Sequence, residues 1–476
     1  MSSDIYCKNI SYLKEMLEIG ETKESAPTSS FGRVPLLEFR SVNGRGGGAA
    51  SGSLENASKR NFICRVLPMY FACAVFAIVI FTLFFFTSHQ DEQKLIFLYR
   101  DAGEFYGLYP VQQKMLEEQS KRKLNSLRKL TIVGVVIDGG TAPLDSPRFP
   151  GVRLLSSYGV HMGPAERQRN ASIPDLDVFV RSVAGTSPGA KGLLVSGMVS
   201  QGQIDIAVEL KGRAFKVFGF DDGFSLWSDS SWPGMMAKQG ALTDLMVTAS
   251  ELKGEVERRQ VQKELPSTFS TSVVGSPTFL EWEEKTEKKS QEELFEVRQY
   301  MFGEQDPHFQ RPGCLFFGGY GEGYYTAVSI FAKAAAELKT NMSFAFVAHP
   351  GPFNTSRERS IFDLHGAQVK VLNRSKESTA VFAKVANVTA SQGSTCGPQS
   401  LSIGVNSVYV LPIGAVTTDV FAKNGLIPIA RNGSAAATKF EKLASKPFDR
   451  KELSKAGIPS NSLQLIVEKV KACVYS

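Results

Sequence analysis

Residues 387–412, NVTASQGSTCGPQSLSIGVNSVYVLP, form the stretch that indicates the fold of the chain. An apolar run is broken at 391–395 by a turn of glycine and hydroxyl residues, a short helix is expected at 396–403, and the next strand at 408–411. A turn of this kind can direct backbone N–H groups and hydroxyls towards a phosphate at the positive end of the helix dipole. An ordinary turn between a strand and a helix uses the same residues for its geometry alone, so both interpretations stay open.

The same alternation of strand and helix patterns recurs from residue 129 onwards. Short apolar runs typical of buried parallel strands are KLTIVGVVID at 129–138, GLLVSGMVS at 192–200, AFKVFGF at 214–220, CLFFGG at 314–319 and SFAFVA at 343–348. We therefore predict an α/β protein with two doubly wound, Rossmann-like domains and a cleft between them. The first domain is expected at 128–270, a helical linker at 271–310 and the second domain at 311–476.

An uncharged apolar segment precedes these domains. Residues 66–87, VLPMYFACAVFAIVIFTLFFFT, contain no charge, and about 20 apolar residues suffice for a helix to cross the hydrocarbon core. A buried helix of a globular domain is rarely apolar on all faces. We predict a transmembrane signal-anchor at 66–88, preceded by a disordered cytosolic tail at 1–65 and followed by a stem at 89–127.

The residues that flank the apolar segment predict its orientation. Lys59, Arg60 and Arg65 precede it, and the positive-inside rule places such residues in the cytosol. Six N-x-S/T sequons follow it, and of these Asn387 is doubtful because it adjoins a buried strand. The six are Asn170, Asn341, Asn354, Asn373, Asn387 and Asn432. The expected protein is a single-pass type II membrane glycoprotein of the Golgi or another endomembrane compartment, with its C-terminal part in the lumen.

Composition limits the kinds of partner. The net charge of +7 is spread along the 476 residues, which fits an anionic ligand or surface and predicts no nucleic-acid partner. Only Cys314, Cys396 and Cys473 follow the apolar segment, so at most one intramolecular disulfide is possible there. No His/Cys spacing suggests zinc, and no metal site is predicted.

Four short motifs directly follow predicted strands, where parallel α/β sheets bind their ligands. They are Asp221-Asp222-Gly223, the glycine turn Gly318-Gly319-Tyr320-Gly321, His349-Pro350 and Gly393-Ser394-Thr395. In an acidic pair, one carboxyl raises the pKa of the other, which makes a general base near neutral pH. A histidine and hydroxyls opposite that base can hold a phosphate leaving group, as an in-line displacement across a cleft requires. Taken singly, each motif is more often an ordinary turn, a capped loop or a site of close packing, and the functional interpretation depends on all of them together.

The acidic pair with its glycine, the His-Pro pair and the Ser-Thr pair, in this order, resemble the three motifs of the GT-B-type sialyltransferases and polysialyltransferases best known from bacteria. The resemblance covers these motifs and the two-domain plan, residues 128–476. It implies a GT-B fold and an inverting, metal-independent glycosyltransferase that needs no cofactor. The substrates would be a CMP-activated sugar, such as CMP-sialic acid or CMP-Kdo, and a glycan acceptor.

The resemblance also implies a role for each motif. Asp221 would deprotonate the acceptor hydroxyl, with Asp222 beside it. His349, followed by Pro350, would contact the CMP phosphate and assist its departure, and Ser394 and Thr395 would bind the same phosphate. The family motifs do not include the glycine turn at 318–323, and its place near the donor is inferred from the turn itself.

Two alternatives remain open on the sequence. The protein could be a GT-B transferase that uses a UDP- or GDP-sugar, because a glycine and hydroxyl turn before a helix serves any nucleotide diphosphate equally well. It could also be a non-catalytic luminal binding protein on a GT-B-like scaffold, because a fold does not determine a function.

Overall fold

The computed structural model describes residues 93–122, 130–140, 149–185, 191–228, 230–349 and 354–475, together with Phe76 and Ile78. Phe76 and Ile78 are helical. The rest of the predicted span at 66–88 and the predicted tail at 1–65 lie outside the described residues. Within the described ranges, no helix has the length and apolar character needed to cross a membrane.

Thirteen strands in the described part of the chain build two sheets. They are β1 Gln93–Tyr99, β2 Leu130–Val136, β3 Val152–Leu154, β4 Gly192–Gly197, β5 Lys216–Phe220, β6 Asp244–Val247, β7 Ser270–Val273, β8 Gly313–Phe317, β9 Ser343–Val347, β10 Val369–Leu372, β11 Val388–Ser391, β12 Asn406–Val410 and β13 Ile429–Ala430. The first sheet has the order β3-β2-β1-β4-β5-β6-β7 and the second β10-β9-β8-β11-β12-β13. Neighbouring strands are parallel throughout, which confirms the prediction of two doubly wound, Rossmann-like domains.

Helices connect these strands, as the apolar pattern predicts for parallel sheets. They are α1 Ala102–Arg122, α2 Leu176–Ala184, α3 Gln201–Gly212, α4 Trp232–Lys238, α5 Ser250–Val261, α6 Pro277–Glu287, α7 Gln291–Phe302, α8 Tyr324–Glu337, α9 Ser356–Leu364, α10 Thr379–Val385, α11 Cys396–Ser402, α12 Val420–Lys423, α13 Gly433–Ala444, α14 Lys451–Lys455 and α15 Ser462–Val474. The helix expected at 396–403 is α11.

The strand at the centre of the first sheet lies in the segment predicted to be a stem. β1 pairs with β2 on one side and with β4 on the other. Its side chains Leu95 to Tyr99 are all fully buried, alternately on the two faces of the sheet. The prediction of a stem at 89–127 is therefore wrong for the described residues 93–122, which belong to the first domain. The apolar core of β1 is only five residues long and is followed at once by charged residues, so its pattern resembled that of a stem.

Each sheet reverses its strand order beside its first strand. In the first sheet, β1 lies between β2 and β4, and in the second, β8 lies between β9 and β11. In such sheets the crevice outside the carboxyl ends of the strands, at the point of reversal, is the usual ligand site. Two crevices are therefore expected, one beyond β1 and β4 and one beyond β8 and β11.

The predicted linker at 271–310 contains the end of β7 and two helices, α6 and α7, where the sequence suggested one. Phe279 of α6 stacks on Phe224 of the first domain, with ring centroids 5.6 Å apart. Trp282, on the same helix, meets the edge of Phe317 in the second sheet, at 6.3 Å. These contacts join the linker to both domains.

The last helix, α15, returns to the first domain. Its Ile466 and Val470 are fully buried in one cluster with Leu95 and Phe97 of β1. The predicted boundaries of the second domain, 311–476, are therefore too wide. The sequence of α15 shows an amphipathic helix, but the pattern does not say which sheet its apolar face covers.

A cavity between the two sheets as the candidate active site

A cavity of about 740 Å³ opens between the carboxyl ends of the two sheets, where both crevices were expected. Loops that follow β1, β4 and β5 line it from the first domain, and loops that follow β8, β9, β10 and β11 line it from the second. The polar residues of the first wall are Asp101, Glu104, Arg169 and Asp222. Those of the second wall are Tyr320, His349, Arg374, Thr379, Ser394, Thr395 and Cys396.

The cavity gathers several of the residues singled out by sequence. Asp222, Gly318, Tyr320, His349, Ser394 and Thr395 all line it. Asp221, Gly319, Gly321 and Gly393 are not among the lining residues. Pro350 lies outside the described residues.

Asp221 is turned into its own loop. Its side chain is 9% exposed, and its two carboxylate oxygens accept hydrogen bonds from Trp227 Nε1 at 2.5 Å and from the Gly223 N–H at 3.0 Å. Burial raises the pKa of Asp221, against the lowering effect of these two donors. With both oxygens engaged inside the loop, Asp221 is a poor candidate for the base that the motif resemblance implied.

Asp222 is the member of the acidic pair that faces the cavity. Burial, followed by the charge of Asp221 and then of Asp101, raises the pKa of Asp222 to about 7. Gly103 makes room for this carboxylate, since a Cβ at that position would lie 2.5 Å from Asp222 Oδ2. A carboxyl group with this pKa can take up and release a proton near neutral pH.

Glu104 is a second cavity carboxyl, and sequence reasoning missed it. The side chain is 1% exposed and accepts hydrogen bonds from Gln203 Nε2 at 3.0 Å and from the Arg100 N–H at 3.1 Å. Burial, and then the charge of Asp222, raises the pKa of Glu104 to about 8. A Cβ at Gly197 would lie 1.9 Å from Glu104 Oε1, so the carboxyl group depends on glycine there. Glu104 lies in the segment that was predicted to be a stem, so it was not considered as a site residue.

Glu104 is expected to make stability fall as the pH rises. The pKa of Glu104 is raised in the folded state, so the folded protein holds this proton more tightly than the unfolded chain does. The contribution of this proton to the free energy of unfolding is fully present below the ordinary pKa of 4.5 and is lost as the pH passes about 8. Glu104→Gln should remove this component, so that the free energy of unfolding of the wild type falls relative to the variant between pH 5 and pH 8. Urea denaturation across this range measures the difference. Glu257→Gln, on the exposed face of α5, is the matched control, and parallel curves for the wild type and Glu104→Gln would contradict the assignment.

The loop that carries the acidic pair is hydrogen-bonded to the second domain. The Val420 N–H donates to the Phe224 carbonyl at 2.8 Å, and the Leu226 N–H donates to the Thr418 carbonyl at 3.2 Å. The ring of Phe224 also meets the edge of Phe421, with centroids 4.9 Å apart. The loop of Asp222 is thus fixed to the second domain by backbone hydrogen bonds as well as by its own sheet.

On the second wall, His349 follows β9 as predicted. Its ring meets Tyr320 edge to face, with centroids 4.8 Å apart. Burial and then the charge of Arg374 lower the pKa of His349, which favours the neutral form of the ring, and a neutral imidazole carries one N–H donor. The prediction did not include Arg374, which follows β10 in a loop whose sequence showed only a sequon.

In the turn after β11, several backbone N–H groups donate to hydroxyl groups of the same turn. Ser391 Oγ accepts from the Gly393 and Ser394 N–H groups at 3.3 and 3.2 Å, and Ser394 Oγ accepts from the Cys396 N–H at 3.3 Å. The N–H groups of Gly393, Ser394 and Cys396 are therefore engaged within the turn itself. Gly393, with a φ of 104°, is needed for the turn. The side chains of Ser394 and Thr395 line the cavity and bring their hydroxyl groups to it.

No group of three or more His, Cys, Asp or Glu in the described ranges is arranged to hold a metal ion.

Comparisons with known proteins identify the fold. No protein-family model matches the chain, and no curated protein matches it significantly. The UDP-GlcNAc 2-epimerase of Neisseria meningitidis, bound to UDP-GlcNAc, shows 13% identity and a TM-score of 0.51 over 80% of this chain and 100% of its own. That of Methanocaldococcus jannaschii, in complex with UDP-GlcNAc and UDP, shows 12% and 0.51 over 80% and 99%. The S. aureus MnaA–UDP structure shows 10% and 0.52 over 80% and 96%.

At these identities the similarity shows the fold alone. The described part of the chain has a two-domain GT-B-like fold with parallel sheets, as the motif resemblance implied. The similarity is not specific to sialyltransferases.

Proposed function

We propose that this protein is a GT-B-like nucleotide-sugar enzyme that transfers a glycosyl group from a UDP-sugar to a hydroxyl group of a glycan. The observation that carries the proposal is the division of one cavity into two chemically different walls. Carboxyl groups, among them Asp222, face it from the first domain. An imidazole, a guanidinium and several hydroxyl groups face it from the second.

The division suits a displacement at an anomeric carbon. The acceptor oxygen forms a bond to that carbon as the bond from the carbon to the β-phosphate oxygen of UDP breaks, and UDP leaves with the electron pair. Asp222 accepts the proton of the acceptor hydroxyl and later releases it to solvent. The donor and the acceptor approach from opposite walls, so the attack is in line and inverts the configuration at the anomeric carbon. A base with a pKa of about 7 is partly ionised at neutral pH, which suits this role.

The choice of a UDP-sugar over a CMP-sugar rests on the solved structures of similar fold. The three structures named above hold UDP-GlcNAc, UDP or both, and this supports the UDP-sugar alternative over the CMP-sialic acid or CMP-Kdo donor suggested by the motif order. Similarity to epimerases also makes epimerisation of a UDP-sugar a second candidate. The product formed without an acceptor separates the two candidates.

A nucleotide panel followed by a turnover assay tests the proposal. UDP, CMP and GDP are added in turn to the purified full-length protein, and a ligand at 100 times its Kd should stabilise the fold by about 2.7 kcal/mol. UDP-GlcNAc, other UDP-sugars and CMP-sialic acid are then assayed for nucleotide release with and without glycan acceptors. UDP stabilisation with acceptor-dependent UDP release is the expected result.

Each other outcome points to a different function. Stabilisation and release limited to CMP would restore the sialyltransferase-like function, and an epimerised UDP-sugar without acceptor would indicate an epimerase. Binding without any turnover would favour a non-catalytic binding protein.

We further propose that the enzyme is a single-pass type II protein of the Golgi or another endomembrane compartment. The uncharged segment at 66–87 and the sequons that follow it support this. Glycosidase treatment of the protein from cells should increase its electrophoretic mobility, and protection of an unglycosylated C-terminal tag from protease in sealed microsomes should accompany it. A cytosolic, unglycosylated C-terminal part would contradict the topology.

A further inference from the structure

The two walls of the cavity differ in charge as well as in chemistry. The first wall carries three carboxyl groups, and its one guanidinium, that of Arg169, is paired with Asp101. Among the described lining residues of the second wall there is no Asp or Glu. The second wall, which carries Arg374 and no carboxyl group among its described lining residues, is therefore the better match for a polyanionic ligand.

Arg374 is the cation of the second wall. The described part of the chain provides no carboxylate partner for it and no carbonyl that accepts from it. Its guanidinium instead interacts electrostatically with the His349 ring, beyond β9, and with the Cys396 thiol, beyond β11. Arg374, His349 and Cys396 all line the cavity, so Arg374 faces the crevice at the reversal point of the second sheet.

Other arginines of the second domain are engaged. Arg311 Nη1 donates to the Lys339 carbonyl at 2.8 Å, and Arg431 Nη1 donates to the Pro412 carbonyl at 2.7 Å. These two side chains have structural roles. Within the described residues no acceptor occupies the guanidinium of Arg374, which carries five N–H donors that can serve a ligand.

We propose that Arg374 binds the phosphate groups of the nucleotide and, together with the hydroxyls of Ser394 and Thr395, holds them against the second wall. The inference rests on the proposed function and assigns a specific residue to the leaving group. A guanidinium is planar and can donate two parallel hydrogen bonds to one phosphate, which an ammonium cannot reproduce. A phosphate in this position places the sugar that it carries towards Asp222.

Equilibrium binding to the purified full-length protein tests the assignment. The probes are inorganic pyrophosphate, uridine and UDP, measured by calorimetry with the wild type, Arg374→Met and Arg374→Lys. We expect Arg374→Met to weaken UDP binding about 10- to 100-fold, consistent with the loss of charge-assisted hydrogen bonds. It should abolish detectable pyrophosphate binding and leave uridine binding unchanged, while Arg374→Lys should recover part of the UDP affinity.

Two further measurements sharpen the result. Arg359→Met, which removes an exposed arginine from α9 of the same domain, is the matched control and should leave all three affinities unchanged. The salt dependence of UDP binding should be shallower in Arg374→Met than in the wild type, because one ionic contact is lost.

The outcomes separate this inference from the proposed function. Equal UDP affinities for the wild type and Arg374→Met would overturn the role of Arg374 and leave a UDP enzyme in place. Arg374-dependent binding of pyrophosphate, with no gain in affinity for UDP, would uphold the anion site and overturn the nucleotide-sugar proposal. No binding of any probe to the wild type would overturn both.

Discussion

Asp222→Asn is expected to lower kcat by about 10²- to 10⁴-fold, the usual contribution of a general base. The amide has the shape of the carboxylate but cannot accept the proton of the acceptor hydroxyl. The affinity for UDP should not fall, because the phosphate groups are proposed to lie against the opposite wall. Steady-state kinetics with a saturating donor, together with calorimetry of UDP, measure the two quantities separately.

The neighbouring carboxyl supplies the decisive contrast. Asp221→Asn should retain most of kcat and move the acid limb of the kcat–pH profile from about 7 to lower pH. The reason is that the charge of Asp221 contributes to the raised pKa of Asp222, so its removal makes Asp222 easier to ionise. Asp363→Asn, on the exposed face of α9, controls for the loss of one negative charge. If Asp221→Asn abolishes activity and Asp222→Asn does not, Asp221 is the base, as the motif resemblance implies, and the assignment of Asp222 is overturned.

Ile466→Ala should lower the free energy of unfolding by about 2–5 kcal/mol, the range for deleting a large buried aliphatic side chain. Ile466 is fully buried and packs, from the last helix, in one cluster with Leu95 and Phe97 of the central strand of the first sheet. Its loss leaves a cavity between the last helix and the central strand of the first sheet. The expected cost is a large fraction of the total stability of an ordinary protein.

Urea denaturation measures this effect, with Gln464→Ala as the control on the exposed face of the same helix. The control should change the free energy of unfolding by no more than about 0.5 kcal/mol, as is usual for surface sites. A small effect of Ile466→Ala, similar to that of the control, would mean that the last helix contributes little to the first domain.

Most of the second sheet was predictable from the sequence, because its strands and helices alternate in long, regular patterns. The runs at 314–319 and 343–348 became β8 and β9, and the turn and short helix after residue 391 lie where expected. The first sheet was harder. Its central strand has a five-residue apolar core flanked by charges, and only its pairing with β2 and β4 shows that it is buried.

The candidate site was predictable to the extent that it lies at strand ends. Asp222, His349, Ser394 and Thr395 follow strands in the sequence and share one cavity in the structure. Which member of the acidic pair faces the cavity depends on the direction of each side chain in the loop after β5, and spacing along the chain does not give that direction. Glu104 and Arg374 were missed because neither belongs to a motif, and only the packing of the sheets brings them to the cavity.

The return of α15 to the first sheet has a practical consequence for engineering. A chimaera joined near residue 311, with everything beyond it taken from another GT-B-like enzyme, would carry a foreign helix onto the face formed by Leu95 and Phe97. Exchange of donor preference between such enzymes should therefore succeed best when the graft stops before residue 461 and the recipient keeps its own terminal helix. The chain passes from the first domain to the second at the linker and returns to the first before α15. The segment between these two points is the part that can be exchanged.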